Sequence, residues 1–464
     1  MSSAHSYSPD PAILTLGDAF YDPVEPAEFP QTILRFRNDR AAQAVGLDTL
    51  DEAAWLRHFG RFEPLPDNLG QPLALRYHGH QFRSYNPEIG DGRGFLFAQL
   101  RDDRGRLLDL GTKGSGQTPY SRFGDGRLTL KGGVREILAT EMLEALGVET
   151  SRTFSLIETG EALERGDEPS PTRSAVLVRL QHSHIRIGTF QRLAYHEQSD
   201  DIGRPTDYCL AHYYPHEHGG PGGAGRLLAQ VARQAARLAA SYIAAGFVHG
   251  VLNTDNIAIT AQSFDYGPWR WTPYWDGGFT AAYFDHSGLY AFGRQPEAIG
   301  WNLNQLAGCL RLIAPVEELI AALELYTPAF QAELRSAICR RLRVVERGAD
   351  EDHALLAAIE TGLAGRTVTI DRFFFDWRGG RRRGPSPADR FYESGDFDAF
   401  RGLITAYTPA AATDHSYWTD PEPCSMHIEE VEAIWSAIDR DDDWNPLHAK
   451  IAAIRRMGEA LRIA

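Results

Sequence analysis

A short series of side chains along this chain has the types and the order for chemistry on a phosphate. Lys113 closes the alternating run Leu107–Lys113, and Glu136 falls in the first turn of the helical stretch Val134–Leu146. Arg179 sits in the run Ser174–Leu180, and Arg186 just beyond it. The segment GFVHGVLNTDNIAI, Gly246–Ile259, then supplies Asp255 and Asn256, and FDYGP supplies Asp265. A loop aspartate can take the proton from an attacking hydroxyl. Asn256 and Asp265 offer the hard oxygen donors that Mg²⁺ prefers. A strand lysine paired with a helix glutamate is a known way to hold a nucleotide phosphate. Each residue also has a plainer reading: NTDN as an Asx-turn, DYG as a simple turn, the arginines as surface ion pairs. Their joint order favours the chemical one.

Two glycine-rich segments flank the predicted strands. One is GDGRG, Gly90–Gly94; the other runs TKGSGQTPYSRFGDGR, Thr112–Arg127. Glycine lets a backbone approach a polyanion closely and lets successive N–H groups point at it. Gly90, Gly92, Arg93, Asp125 and Gly126 are the candidates there. A lone Asp-Gly turn would signify a hairpin; two GDGR copies, each near a strand, point to phosphate. The spacing is not that of an ordinary protein kinase. Asp255 and Asn256 are adjacent, Asp265 follows closely, and the glycine pattern is not GxGxxG.

The elements that must position these groups fall into two regions. From Leu73 to Leu180 the pattern is short strands and turns, including Phe95–Leu100, Leu107–Lys113 and Ser174–Leu180. In the second of these, Leu108, Leu110 and Thr112 share one face, and Asp109, Gly111 and Lys113 the other. A helix is predicted over Gln31–Gly46, and a long one carries the stripe Leu227, Val231, Ala235, Leu238, Tyr242 to its end at Gly246. Further helices are expected over Asn302–Ile313, Val316–Leu325, Pro328–Val344, with Thr327 as N-cap, then Asp352–Leu363 and Met426–Asp439. The loop HEHGGPGGAG, His216–Gly225, is the expected joint. The predicted class is therefore α+β and bilobal: a strand-rich N-terminal lobe over 1–215 and a helical C-terminal lobe over 226–464.

Composition bounds the alternatives. The 464 residues carry 47 Lys and Arg against 62 Asp and Glu, a net charge of 47 − 62 = −15. That balance argues against a general nucleic-acid binder. Four scattered cysteines without CxxC spacing indicate no disulfide framework and no zinc ribbon. No apolar run approaches the roughly 18 residues of a membrane span, and the N-terminus has no secretory pattern. A cytoplasmic protein is expected. The histidines of HYYPHEH (His212, His216, His218) lack a fourth zinc ligand and read as solvated; His182 and His184 read as structural. Arg381–Arg383 reads as a solvated basic loop, and Trp269, Trp271, Tyr274 and Trp275 as packing.

With these residues in place, the sequence resembles the selenoprotein O family, the YdiU-type kinase-like protein adenylyltransferases. The resemblance rests on YHGHQF (Tyr77–Phe82), IGDGRG (Ile89–Gly94), KGSGQTPYSRFGDGR (Lys113–Arg127), VREIL (Val134–Leu138), SHIRIGTF (Ser183–Phe190), GFVHGVLNTDNIAI, DYGP (Asp265–Pro268) and QPEAIGWNLNQLA (Gln295–Ala307). It implies a protein-kinase-like fold that transfers AMP from ATP onto Ser, Thr or Tyr hydroxyls of proteins, with the nucleotide flipped relative to a kinase. Carried over by position, Lys113 and Glu136 resemble the ion pair. Gly90, Gly92, Arg93, Asp125, Gly126, Arg179 and Arg186 resemble the nucleotide contacts. Asp255 resembles the base, and Asn256 and Asp265 the ligands of Mg²⁺, or of Mn²⁺ in its place. A monomer acting on other proteins is expected. Arg83, Tyr85 and Gln191 depart from the family's usual residues. The readings that compete are a kinase using the γ-phosphate and an ATP-binding regulatory pseudokinase.

Overall fold

The computed structural model describes residues 6–166, 168–410 and 414–462. In the first half of the chain come strands β1 (Tyr21–Pro23) and β2 (Ile33–Arg37), helices α1 (Asp39–Ala44) and α2 (Glu52–Gly60), and strands β3 (Leu73–Leu75), β4 (Gly79–Gln81), β5 (Ser84–Asn86), β6 (Leu96–Arg101), β7 (Leu107–Lys113) and β8 (Leu128–Thr129). Helix α3 (Leu130–Ala145), strands β9 (Arg152–Leu163) and β10 (Thr172–Gln181), and helices α4 (Ile187–Tyr195), α5 (Ser199–Tyr213) and α6 (Gly223–Ala245) follow. A small hairpin, β11 (Phe247–His249) with β12 (Trp269–Trp271), brackets the NTDN and DYG segments. The remainder is helical: α7 (Gln295–Leu310), α8 (Val316–Leu323), α9 (Tyr326–Leu342), α10 (Ala349–Leu363), α11 (Ile370–Asp376), α12 (Asp389–Tyr392), α13 (Asp398–Ile404), α14 (Ile428–Asp441) and α15 (Asn445–Leu461).

Eight of the strands form one antiparallel sheet in the order β1-β3-β6-β7-β10-β9-β2, with β8 added to β10, while β4 and β5 pair as a separate hairpin. Period-two alternation decides what each face does. Leu108 and Leu110 of β7, with Val176 and Val178 of β10, pack against Trp55 and Phe59 of α2. The opposite face carries Ala175 and Leu177 against Val134, Ile137 and Leu138 of α3. Lys113 and Arg179 are on this second face too. The register places Leu177 opposite Lys113 and Arg179 opposite Gly111, so the two cations come out side by side. The C-terminal part is built on α6, which is buried along most of its length and ends where Gly246 takes φ +70°. A strand-rich N-terminal lobe followed by a helical lobe, with a strand lysine facing a helix glutamate, is the protein-kinase-like arrangement.

Several elements differ from expectation. The helix predicted over Gln31–Gly46 is instead strand β2 followed by the short helix α1. Ile33 and Leu34 pair with Glu158 and Ile157 of β9, and Asn38 then caps α1 by accepting from the Ala41 amide at 3.2 Å. A partner strand, invisible in local sequence, overrides the helical spacing. Helix α3 begins at Leu130, because Thr129 Oγ1 accepts from the Gly132 amide at 3.1 Å, and Glu136 therefore lies in its second turn. Helix α7 starts at Gln295, with Pro296 in its first turn. Helix α9 starts at Tyr326 after Leu325, so Thr327 does not cap it. Helix α5 runs through Pro205, a residue that ordinarily argues against a helix.

The last helix reaches back to the first lobe. Glu141 of α3, 4% exposed, receives Arg455 of α15 through two hydrogen bonds of 2.8 and 2.6 Å. A Cβ on Gly458 would stand 3.2 Å from Ala145, so α15 lies close along α3.

Candidate active site

The glycine-rich segments, the ends of β7 and β10 and the NTDN and DYG segments close around a cleft of about 740 Å³. Lys113, at the end of β7, is 5% exposed. Its Nζ donates to Glu136 Oε1 at 2.6 Å and to Asp265 Oδ1 at 2.7 Å. Arg179 Nη1 stands 3.6 Å from the same Asp265 oxygen. Arg186 donates to the Asp255 carbonyl at 3.0 Å and to Asp91 Oδ1 at 3.1 Å, with its guanidinium over the Tyr77 and Phe264 rings. All of these side chains but Asp91, Tyr77 and Phe264 are ones the sequence singles out. Arg93 lines the same cleft and forms no ion pair among the described residues.

The electrostatics separate the two aspartates. Burial opposes charge on Asp265, but Lys113, Arg179, Arg186 and Arg93 outweigh it and hold the carboxyl well below the usual range. Its backbone takes φ +62°, an uncommon conformation for a residue other than glycine. Asp255 is pushed up to about 6, chiefly by burial, with Arg186 only partly offsetting it. Its Oδ1 is buried with no hydrogen-bond partner, as are Arg179 Nη1 and Arg186 Nε. Unsatisfied buried donors and acceptors concentrated in one cleft call for a ligand.

Two candidates do not line the cleft surface: Glu136, buried behind Lys113, and Asn256, which adjoins Asp255. Asn256 Nδ2 donates to the Val251 carbonyl at 3.0 Å, which leaves the amide oxygen as the end available to a cation. Asp125 lines the cleft but is also tied to Arg165 at 2.8 Å and to the Arg127 amide at 3.0 Å, a turn-holding role. Among the described residues no cluster of three or more His, Cys, Asp or Glu could hold a metal, so HYYPHEH forms no such site. His184 is buried, with its amide 2.7 Å and its Nδ1 3.1 Å from Asp109, and burial lowers its pKa.

Sequence reasoning missed the groups that fix the NTDN segment. The β4–β5 hairpin docks on it: the His80 amide donates to Thr254 Oγ1 at 2.7 Å and the Phe82 amide to Asn253 Oδ1 at 3.0 Å. Asn302 of α7 donates to the Leu252 carbonyl at 2.8 Å. His249 bridges the two segments, with Nε2 3.1 Å from the Phe264 carbonyl and Nδ1 accepting from the Val251 amide. Two of the departures from the family pattern meet behind this hairpin. Tyr85 Oη lies 2.9 Å from His78 and donates to the Gln191 carbonyl at 3.1 Å, while Gln191 Nε2 reaches His80 at 2.7 Å. The two residues are in direct contact through the Tyr85 hydroxyl and the Gln191 carbonyl.

Gly126 sits at φ +70°, and a Cβ there would lie 2.3 Å from the Gly116 carbonyl carbon. Gly126→Ala is expected to cost about 2 kcal/mol through strain at this turn, read as a lower urea midpoint at unchanged slope.

A deep polar cleft between two lobes, with a lysine–glutamate pair on one wall and a buried aspartate on the other, defines a nucleotide-dependent transferase of kinase-like build. Comparison with known proteins narrows this. Residues 4–391 match the sequence model of the family described as "Protein adenylyltransferase SelO". A "Protein nucleotidyltransferase YdiU" of Gloeobacter violaceus is 44% identical over 461 residues, covering 96% of this chain and 95% of its own. Proteins of the same name are 50% identical over 75% of this chain and 70% of their own in Synechococcus elongatus, and 36% over 81% and 76% in Pseudomonas aeruginosa. Among solved structures, ROP2 from Toxoplasma gondii, described as having a protein-kinase fold and no enzymatic activity, covers 72% of this chain and 82% of its own at 12% identity and a TM-score of 0.25. The chain belongs to the SelO family of protein adenylyltransferases. Its activity is that of a protein nucleotidyltransferase. Among the described residues no helix is long and apolar enough to cross a membrane.

Proposed function

We propose that the cleft binds ATP and transfers its AMP portion to a Ser, Thr or Tyr hydroxyl of another protein. The observation that carries this reading is Asp255: a buried carboxylate with a free oxygen and a pKa near 6, beside a concentration of positive charge. Above that pH it is ionised and basic enough to accept a hydroxyl proton as the oxygen attacks phosphorus. Lys113, Arg93, Arg179 and Arg186 face the phosphates and stabilise the pyrophosphate that leaves, their charges already in place before reaction. Glu136 holds Lys113 in position. Gly90, Gly92 and Gly126 let the backbone come close to the phosphate chain. Asn256 and Asp265, with hard oxygen donors and a carboxyl kept ionised, are the residues that would hold Mg²⁺ or Mn²⁺. A bound divalent ion supplies charge neutralisation to the phosphate oxygens.

ATP labelled at either the α- or the γ-phosphate tests the reading on a mixture of acceptor proteins. Label is expected in protein from the α position and absent from the γ position. Label from the γ position alone would show phosphoryl transfer instead. Asp265→Ala is expected to lose metal-dependent ATP binding; calorimetry showing the same ATP affinity with and without Mg²⁺ as the parent protein would remove Asp265 from the metal.

A further inference from the structure

The TPYSR segment, Thr118–Arg122, takes no part in the mechanism above, yet it touches the first glycine loop at successive positions. Thr118 Oγ1 donates to the Asp91 carbonyl. Ser121 Oγ donates to the Gly92 carbonyl at 2.5 Å. The Gly114 amide donates to the next carbonyl, that of Arg93, at 2.6 Å. Three consecutive carbonyls of the GDGRG loop are therefore turned toward the stretch Gly114–Ser121, two of them toward TPYSR itself.

A trans peptide holds its C=O and the following N–H in one plane, pointing in opposite directions. The amides of Gly92, Arg93 and Gly94 must then point together, away from Thr118, Ser121 and Gly114. Among the described residues none of these three amides has a protein acceptor. Successive backbone N–H groups aimed at one point make a concavity that binds anions. The segment itself is anchored: the Tyr120 amide donates to Thr118 Oγ1 at 3.1 Å, and the Tyr120 hydroxyl to Asp22, which also holds Arg76. The Tyr120 ring packs directly on Gly90, where a Cβ would come within 2.4 Å of it, so the two loops are in close contact.

We infer that Thr118 and Ser121 are positioning residues: their hydroxyls lock the Gly92–Gly94 amides into a nest for the phosphate chain of the nucleotide. The inference rests on the ATP-binding reading of the cleft and adds to it which side chains set the loop. Without the two hydroxyls the peptides lose their fixed orientation, and the loss falls on the phosphate part of the ligand.

The test compares ATP with adenosine in calorimetric binding to the full chain, parent and Thr118→Val/Ser121→Ala. ATP is expected to weaken by about tenfold, one to two hydrogen bonds' worth, while adenosine binding stays within about twofold. KM for ATP in the labelling reaction should rise more than kcat falls, and Thr118→Ser alone should behave as the parent. Equal weakening of ATP and adenosine would overturn the inference, since a general collapse of the cleft would do that. So would a double variant that keeps the parent's preference for ATP over adenosine. If the parent itself shows no such preference, the ATP reading falls along with it. Should the double variant not fold, Ser121→Ala alone carries the same comparison, with an expected loss of about threefold for ATP only.

Discussion

Asp255→Asn is expected to abolish nucleotidyl transfer and at the same time to make the folded protein more stable. The first effect follows from removing the proton acceptor, a loss of about 10² to 10⁴ in rate for general-base catalysis. The second follows from the carboxylate's own cost. Its pKa rises on folding from 3.8 to about 6. Below pH 3.8 the group is protonated in both states and contributes nothing. As pH rises through the window from 3.8 to 6 the unfolded chain releases the proton first, so stability falls, and above pH 6 the full deficit is present. That deficit is roughly 2–3 kcal/mol. The neutral amide does not carry it. Thermal unfolding at pH 8 should therefore show the asparagine variant melting above the parent, and at pH 4 the two should converge. The parent's kcat should fall on the acid side with a midpoint near 6. A variant that transfers AMP at the parent rate would remove Asp255 from the chemistry.

Lys113→Met is expected to have the opposite signature, losing activity and stability together. Glu136 is 1% exposed, and its partner Lys113 also serves Asp265. Removing the cation leaves one carboxylate buried without compensation, a cost of about 3–5 kcal/mol. Adding Glu136→Leu to Lys113→Met should restore most of that stability, because the buried charge is then gone, while transfer stays lost. Urea denaturation of the three proteins, read beside α-label incorporation, separates the two contributions. If the double variant is as unstable as Lys113→Met alone, unpaired Glu136 is not the cause of the instability.

The parts of the fold that were legible share a local cause. Strand β7 showed its two faces by alternation, and α6 showed its stripe and its terminal glycine. What was not legible depends on partners far away in the chain. Ile33–Arg37 reads as part of a helix until β9 lies beside it. Pro205 hides α5, because a proline that breaks one helix is tolerated in another when packing holds the turn. The site was read mostly from its charges: Lys113, Arg179, Arg186, Asp255 and Asp265 all reach one cleft. Asp91 was passed over inside a motif valued for its glycines. The amides of His80 and Phe82, which hold the NTDN segment, have no signature, because every residue but proline has an N–H.

The contact between Arg455 and Glu141 joins positions 314 apart in the chain. The helix that bears Glu136 is thus made early in synthesis, and its outer cover, α15, emerges from the ribosome only after the rest of the catalytic lobe. A growing chain carries its lysine, its glycine loops and its aspartates well before this last buttress arrives.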